Sequence, residues 1–118
     1  MIDRDCIFCK IAGGDIPSST VYEDEQFRVL LDLSPATKGH ALILPKQHYA
    51  NIFEIDENVL RDLIVLAKKV ASAMKETLNC DGVNIVQNNG EAAGQTVFHF
   101  HMHIIPRYKD DGQVIGWE

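Results

Sequence analysis

The chain has no apolar run approaching the roughly 18 residues needed to cross a bilayer. Its start, Met1-Ile2-Asp3-Arg4-Asp5-Cys6, lacks the basic stretch followed by an apolar one that marks a secretion signal. Both absences point to a cytoplasmic protein with no membrane partner. Cationic charge is scarce as well: 11 Lys and Arg stand against 17 Asp and Glu, for a net charge of −6. That excludes the basic footprint of a general nucleic-acid binder. It leaves room for a single phosphate held by local donors and backbone N–H groups. Cysteine is limited to three residues, too few for a disulfide scaffold. Cys6 and Cys9 form a C-x-x-C, which in a reducing compartment reads as metal ligands or redox thiols. Cys80 stands alone and reads as an inert thiol.

What is present fits one domain, residues 1–118. A chain of this length buries about two-thirds of its unfolded surface. Ile7 to Ile11 forms a short helical turn, broken by Gly13-Gly14-Asp15-Ile16-Pro17. Strands are expected at Val21 to Glu23, Phe27 to Asp32, His40 to Pro45 and Val83 to Gln87. Between the third and fourth lies the clearest element. Asp56 is an N-cap, and Ile55 with Leu60 forms a hydrophobic staple across it. Leu60, Leu63, Ile64, Ala67, Val70, Ala71, Met74 and Leu78 then make one apolar stripe at helical spacing, with Lys68, Lys69, Lys75 and Glu76 on the solvated side. Asn79 and Gly82 stop this helix. The tail after Pro106 is polar until Val114-Ile115-Gly116-Trp117. Strands grouped around one long helix give an α+β domain with a mostly antiparallel sheet.

The chemistry concentrates in Val97-Phe98-His99-Phe100-His101-Met102-His103-Ile104-Ile105-Pro106. Three of the five histidines alternate here with apolar residues, the pattern of a fifth strand with one imidazole face. Such a row makes a poor core, because each ring has two nitrogens that need partners. Neighbouring rings stand roughly 6.5–7 Å apart along a strand, while His99 and His103 are about 13 Å apart, too far to share one metal. His101 can act with either neighbour and is the candidate nucleophile. A neutral imidazole serves that role when one nitrogen is free and the other N–H is fixed by a carbonyl. Attack on phosphorus also needs oxyanion donors, which Gly94, Gln95, Thr96 and Asn88 of the preceding loop can offer. Two alternatives stand beside this: two of the three rings chelating zinc, and an exposed polar edge strand. For Cys6 and Cys9, a zinc site completed by His40, His48 or one of the three histidines competes with a reduced dithiol packed on the core. His48, just past a strand end, can reach inward; His40 is expected to make a structural hydrogen bond where its strand begins.

The run His99-Phe100-His101-Met102-His103-Ile104-Ile105 resembles the histidine-triad (HIT) signature. The likeness extends over nearly the whole chain: Cys6-Ile7-Phe8-Cys9-Lys10-Ile11, Asp15-Ile16-Pro17, Val21-Tyr22-Glu23-Asp24, Asp32-Leu33-Ser34-Pro35, Lys38-Gly39-His40, Ile43-Leu44-Pro45-Lys46, Asn88-Asn89-Gly90 and Gly94-Gln95-Thr96. It is strongest to the Hint-like bacterial branch with the C-x-x-C. The resemblance implies a HIT-like fold with five strands, one long helix and a short N-terminal helix, its sheet continued across a homodimer. It implies hydrolysis or transfer at the α-phosphate of a purine nucleotide of AMP or GMP type, from a phosphoramidate or a dinucleoside polyphosphate. By that resemblance His101 is the nucleophile, His103 holds phosphate oxygens and His99 orients the site. Gln95 and Thr96 contact phosphate or leaving group, and Asn88 bonds the phosphate. Asp32 accepts from the ribose hydroxyls, and Phe8, Ile11 and Leu33 line the base pocket. A structural zinc held by Cys6, Cys9, His48 and His99 is implied too. Thr96 stands where these proteins often have serine, so the hydroxyl is kept. Two readings of another class remain at this point: a nucleotide-binding module with incidental hydrolysis, and a zinc-stabilised scaffold.

Overall fold

The computed structural model describes residues 5–114; of the apolar tail Val114 to Trp117, residues 115–117 lie outside them. The elements run α1 (Ile7–Ala12), β1 (Thr20–Glu23), β2 (Phe27–Leu31), β3 (Ala41–Pro45), α2 (Glu57–Leu78), β4 (Gly82–Val86), a 3₁₀ turn (Glu91–Ala93) and β5 (Met102–Arg107). The five strands form one antiparallel sheet in the order β1-β2-β3-β5-β4. All of β3 is buried, because helices cover both sides of it, and its unbroken apolar sequence is the signature of that position.

The two faces hold separate cores. On one, Phe27, Val29, Ala41, Ile43, Met102 and Ile104 pack against Leu63, Leu66, Ala67 and Met74 of α2. On the other, Leu30, Leu42 and Leu44 pack against Ala12, with Phe8 and Ile11 of α1 half-buried beside them. Helix α2 begins where Asp56 accepts from the backbone N–H groups of Asn58 and Val59 and ends at Asn79 in the left-handed conformation. Gly39, at φ +93°, sits so close to α2 that a Cβ there would lie 2.6 Å from Leu78 Cδ1. That approach draws the turn before β3 onto the helix.

Two details of the periodicity reading are corrected. The inward stripe of α2 includes Leu66 and leaves Ile64 about half exposed. Ile64 sits at the edge of the stripe with Lys68, Ala71 and Lys75, along a cleft shared with Val83 and Ile85 of the edge strand β4. The second correction concerns the histidines: β5 starts only at Met102, so His99 and His101 precede the strand. The ladder with β3 ends at the pair Ile43–Met102 and that with β4 at Val86–His103. Two residues further along β3 stands Pro45, which has no N–H to offer. The alternation survives without the ladder, for Phe100, Met102 and Ile104 all enter the α2-side core.

Candidate functional site

Two imidazoles of the row, His99 and His101, are buried, contrary to the expectation that a histidine row would avoid the interior. His99 is fully inaccessible, and His101 and His40 are nearly so. Burial is tolerated because the ring nitrogens find partners; no buried side-chain nitrogen or oxygen lacks one among the described residues.

The tautomers of His99 and His101 follow from main-chain groups. His99 Nε2–H donates to the Pro45 carbonyl at 2.7 Å, which leaves Nδ1 as a lone pair. That lone pair lies 3.4 Å from Cys6 Sγ and 3.3 Å from Cys9 Sγ, and Cys9 Sγ is 3.2 Å from His48 Nδ1. Sulfur and nitrogen ligands of tetrahedral zinc stand about 3.5 Å apart when Zn–S is about 2.3 Å and Zn–N about 2.0–2.1 Å. The four ligand atoms lie within 4.8 Å of one another. Cys6 also caps α1, accepting from the Cys9 N–H at 3.3 Å. The donor set, the spacing and the carbonyl on the far nitrogen of His99 all fit a metal, and Cys6, Cys9, His48 and His99 could hold one. Burial pushes the His99 imidazole down to about 4, so it is neutral and able to ligate.

His101 follows the same rule with the opposite nitrogen. Its Nδ1–H donates to the His99 carbonyl at 2.7 Å, so Nε2 is the lone pair. Among the described residues Nε2 has no partner, and since no buried side-chain nitrogen there is unpartnered, it is open to solvent. Burial lowers the His101 pKa, opposed by the His99 carbonyl and the Asp32 charge. The Phe8 ring stands edge-on to His101, 5.0 Å between centroids at 89°, and 6.1 Å from His99. Phe8 lies in α1 between the two cysteines, so one helical turn carries two thiols and a ring beside His101. The His103 ring is 5.2 Å from His101. Burial first, then the nearby His101 and His40, push its pKa down to about 4.

The remaining sequence-derived residues divide. Asp32 Oδ1 accepts from the Ser34 N–H, and Oδ2 faces His40 at 3.5 Å and His103 at 4.0 Å. Ile11 packs on the α1-side core. Asn88 is half-buried and Thr96 exposed at the loop before the histidines. Leu33 stands 91 % exposed, so it lines nothing until a ligand meets it. Gln95 is the residue whose setting departs most from expectation. Its Oε1 accepts from Gly90 N–H and its Nε2 donates to the carbonyls of Ala50 and Val97. Its own N–H bonds the Gly90 carbonyl. In this conformation Gln95 is a buried brace that shapes the loop and has no donor left over. His40, a sequence candidate for the cysteine site and for a structural hydrogen bond, lies with Asp32 and His103 and not with the cysteines. It does accept from the Ala36 N–H, but it also contacts His103, 2.9 Å from Nε2 to Nδ1. A cavity of about 880 Å³ between β1–β2 and α2 is lined by groups such as Val21, Leu31, Val65 and Met74 and contains no histidine. The chemistry lies across the sheet from it.

The histidine-triad HIT domain matches residues 13–110. The chain belongs to the HIT family. It is 49 % identical over 116 residues to Protein hit of Bacillus subtilis, covering 98 % of this chain and 80 % of that protein. It is 43 % identical over 117 residues to the adenosine 5'-monophosphoramidase HNT1 of Saccharomyces cerevisiae, covering 98 % and 72 %. Among solved structures, a Zn-bound histidine triad family protein from Mycobacterium smegmatis superimposes with a TM-score of 0.89 at 38 % identity, covering 97 % of this chain and 83 % of that one.

Proposed function

We propose that this HIT protein is a nucleotidyl hydrolase that opens nucleoside phosphoramidates of AMP or GMP type through a covalent nucleotidyl-His101, with dinucleoside polyphosphates as a second substrate class. One observation carries the reading: His101 Nδ1–H is fixed on the His99 carbonyl while Nε2 faces open space. In the first step Nε2 forms a bond to the α-phosphorus. The bond from phosphorus to the leaving nitrogen breaks, and that nitrogen takes a proton from water. The imidazolium so formed keeps its Nδ1–H on the carbonyl, which stabilises the charge. Water then attacks phosphorus, the P–Nε2 bond breaks, the nucleotide leaves and the spare proton goes to solvent.

His103, Thr96 and Asn88 would hold the phosphate oxygens, and Gln95 would keep the loop in shape for them. Asp32 would accept from the ribose, with Phe8, Ile11 and Leu33 along the base. Zinc on Cys6, Cys9, His48 and His99 would be structural, because four protein ligands leave no position for substrate. The 43 % identical yeast phosphoramidase and the zinc-bound relative support these assignments. A homodimer joined through β4 is supported by the fold. β4 is an edge strand with unpaired main-chain groups, and Ile85 and Ile64 lie exposed beside it. No helix among the described residues is long and apolar enough to cross a membrane, and a cytoplasmic setting suits cysteines that serve as metal ligands.

The test is incubation of wild type and His101→Gly with an adenosine phosphoramidate. Wild type should release AMP and yield an adenylylated His101 peptide on acid-free quenching and mass spectrometry. His101→Gly should lose at least about a thousandfold in turnover while still binding AMP. Undiminished turnover in that variant would end the covalent route.

A further inference from the structure

Asp32, His40 and His103 have the composition of a second metal site, with ligand atoms within 4.8 Å of one another. Proton placement argues otherwise. The backbone N–H of Ala36 can only donate, and it donates to His40 Nδ1 at 3.0 Å. A neutral imidazole has one proton, so His40 carries it on Nε2. The nearest acceptor is His103 Nδ1 at 2.9 Å, with Asp32 Oδ2 second at 3.5 Å. His103 must then hold its own proton on Nε2. That nitrogen has no partner among the described residues and is not buried, and its ring stands 5.2 Å from that of His101. A metal on His40 Nε2 would require the ring's other nitrogen to carry a proton, set against the Ala36 N–H. Metal-bound histidines do the reverse and donate from that nitrogen to an acceptor.

We propose that His40 is a positioning residue: the Ala36 N–H locks its tautomer, and through it locks His103 as an Nε2–H donor aimed at the phosphoryl group, so that the Asp32–His40–His103 cluster orders hydrogen-bond polarity and takes no metal. The chain of bonds is a dead end for protons, since the Ala36 amide can neither accept one nor release one. It sets direction rather than conducting. Burial lowers the pKa of both rings, with Asp32 opposing, which keeps them neutral and the one-proton count valid near pH 7. The catalytic part of this proposal rests on the phosphoryl-transfer reading; the tautomer part does not.

The experiment is ¹⁵N NMR of histidine-labelled, zinc-loaded protein, with rates measured in parallel. Wild type should show His103 protonated on Nε2 and unprotonated on Nδ1. His40→Leu should lose that single tautomer and about 10- to 100-fold in kcat with little change in KM. His40→Gln, whose amide can accept from Ala36 and donate to His103, should restore the tautomer and most of the rate. Zinc titration should load one equivalent per chain in all three proteins. A wild-type His103 protonated on Nδ1, a tautomer indifferent to His40→Leu, or a second zinc equivalent lost in His40→Leu would each overturn the proposal. Absence of phosphoramidate turnover in wild type would remove the reaction but leave the tautomer result standing.

Discussion

The protein contains two clusters of ligand-type side chains, each with two histidines, and their chemistry is opposite. In one, the far nitrogen of His99 donates to a carbonyl, so the near nitrogen is a lone pair aimed at two thiols. In the other, the far nitrogen of His40 accepts from a backbone N–H, so the near nitrogen must carry a proton. One main-chain group, C=O or N–H, decides between ligand and donor. Proximity of ligand-type side chains is therefore a weak criterion for a metal; what stands behind the ring is stronger. The clusters are also joined. The His99 carbonyl orients His101, and Phe8 rises from the cysteine-bearing turn onto the His101 ring.

The strongest way to break this contrast is to remove one side chain from each cluster. Cys9→Ser should abolish metal loading and lower Tm by about 10 °C or more, roughly 2 kcal/mol in a domain of this size, because metal binding contributes directly to folding. Chelation of wild type should reproduce the shift, and His40→Leu should not. Calorimetry with and without chelator, alongside metal analysis, checks both. Equal metal loss in the two variants would erase the distinction.

A smaller effect should come from the turn that carries His40. Thr37 is buried and donates through Oγ1 to the Pro106 carbonyl at 2.5 Å. Thr37 also accepts from the His40 N–H at 3.2 Å. Thr37→Val keeps the shape and strands the Pro106 carbonyl, so it should destabilise by about 1–2 kcal/mol. Denaturant titration should show that loss, and kcat should fall while zinc content stays at one per chain.

Acid should act on the same cluster. His103 is held at about 4 when folded, against about 6.5 unfolded. Between those values the unfolded chain takes up the proton first. Its contribution is complete above about pH 6.5 and is lost as pH falls toward 4. With allowance for the solvent that reaches the ring, the loss at pH 5 is on the order of 1 kcal/mol. The urea midpoint of His103→Gln should accordingly fall less steeply from pH 7 to pH 5 than that of wild type.

Much of this was legible in the sequence. The α2 cap, the five strands, the C-x-x-C and the alternating histidines depend on local residue types and spacing. What escaped depends on partners far along the chain. Pro45 ends the ladder that His101 would have joined, so the three histidines share an alternation but not a strand. Gln95 reads as a phosphate donor because its loop is polar; Ala50, forty-five residues away, takes its amide instead. Ile64 fits the helical stripe as well as Leu66 does, and only the position of β4 separates them. His40 was placed at the start of a strand, but the role of its second nitrogen needs His103 beside it.

The finest test concerns Leu33, next to Asp32 on the loop that feeds the His40 cluster. At 91 % exposure it contributes little to folding, and Leu33→Ala should change stability by less than about 0.5 kcal/mol. If the base lies along this loop, a bound nucleotide covers that side chain. Loss of about 1 kcal/mol of apolar contact then raises KM roughly fivefold. Because the residue touches no reacting atom, kcat should hold. Isothermal titration with AMP reads the same change as affinity. An unchanged KM and affinity would place the base away from the Asp32 loop, and leave Asp32 to His40 and His103 alone.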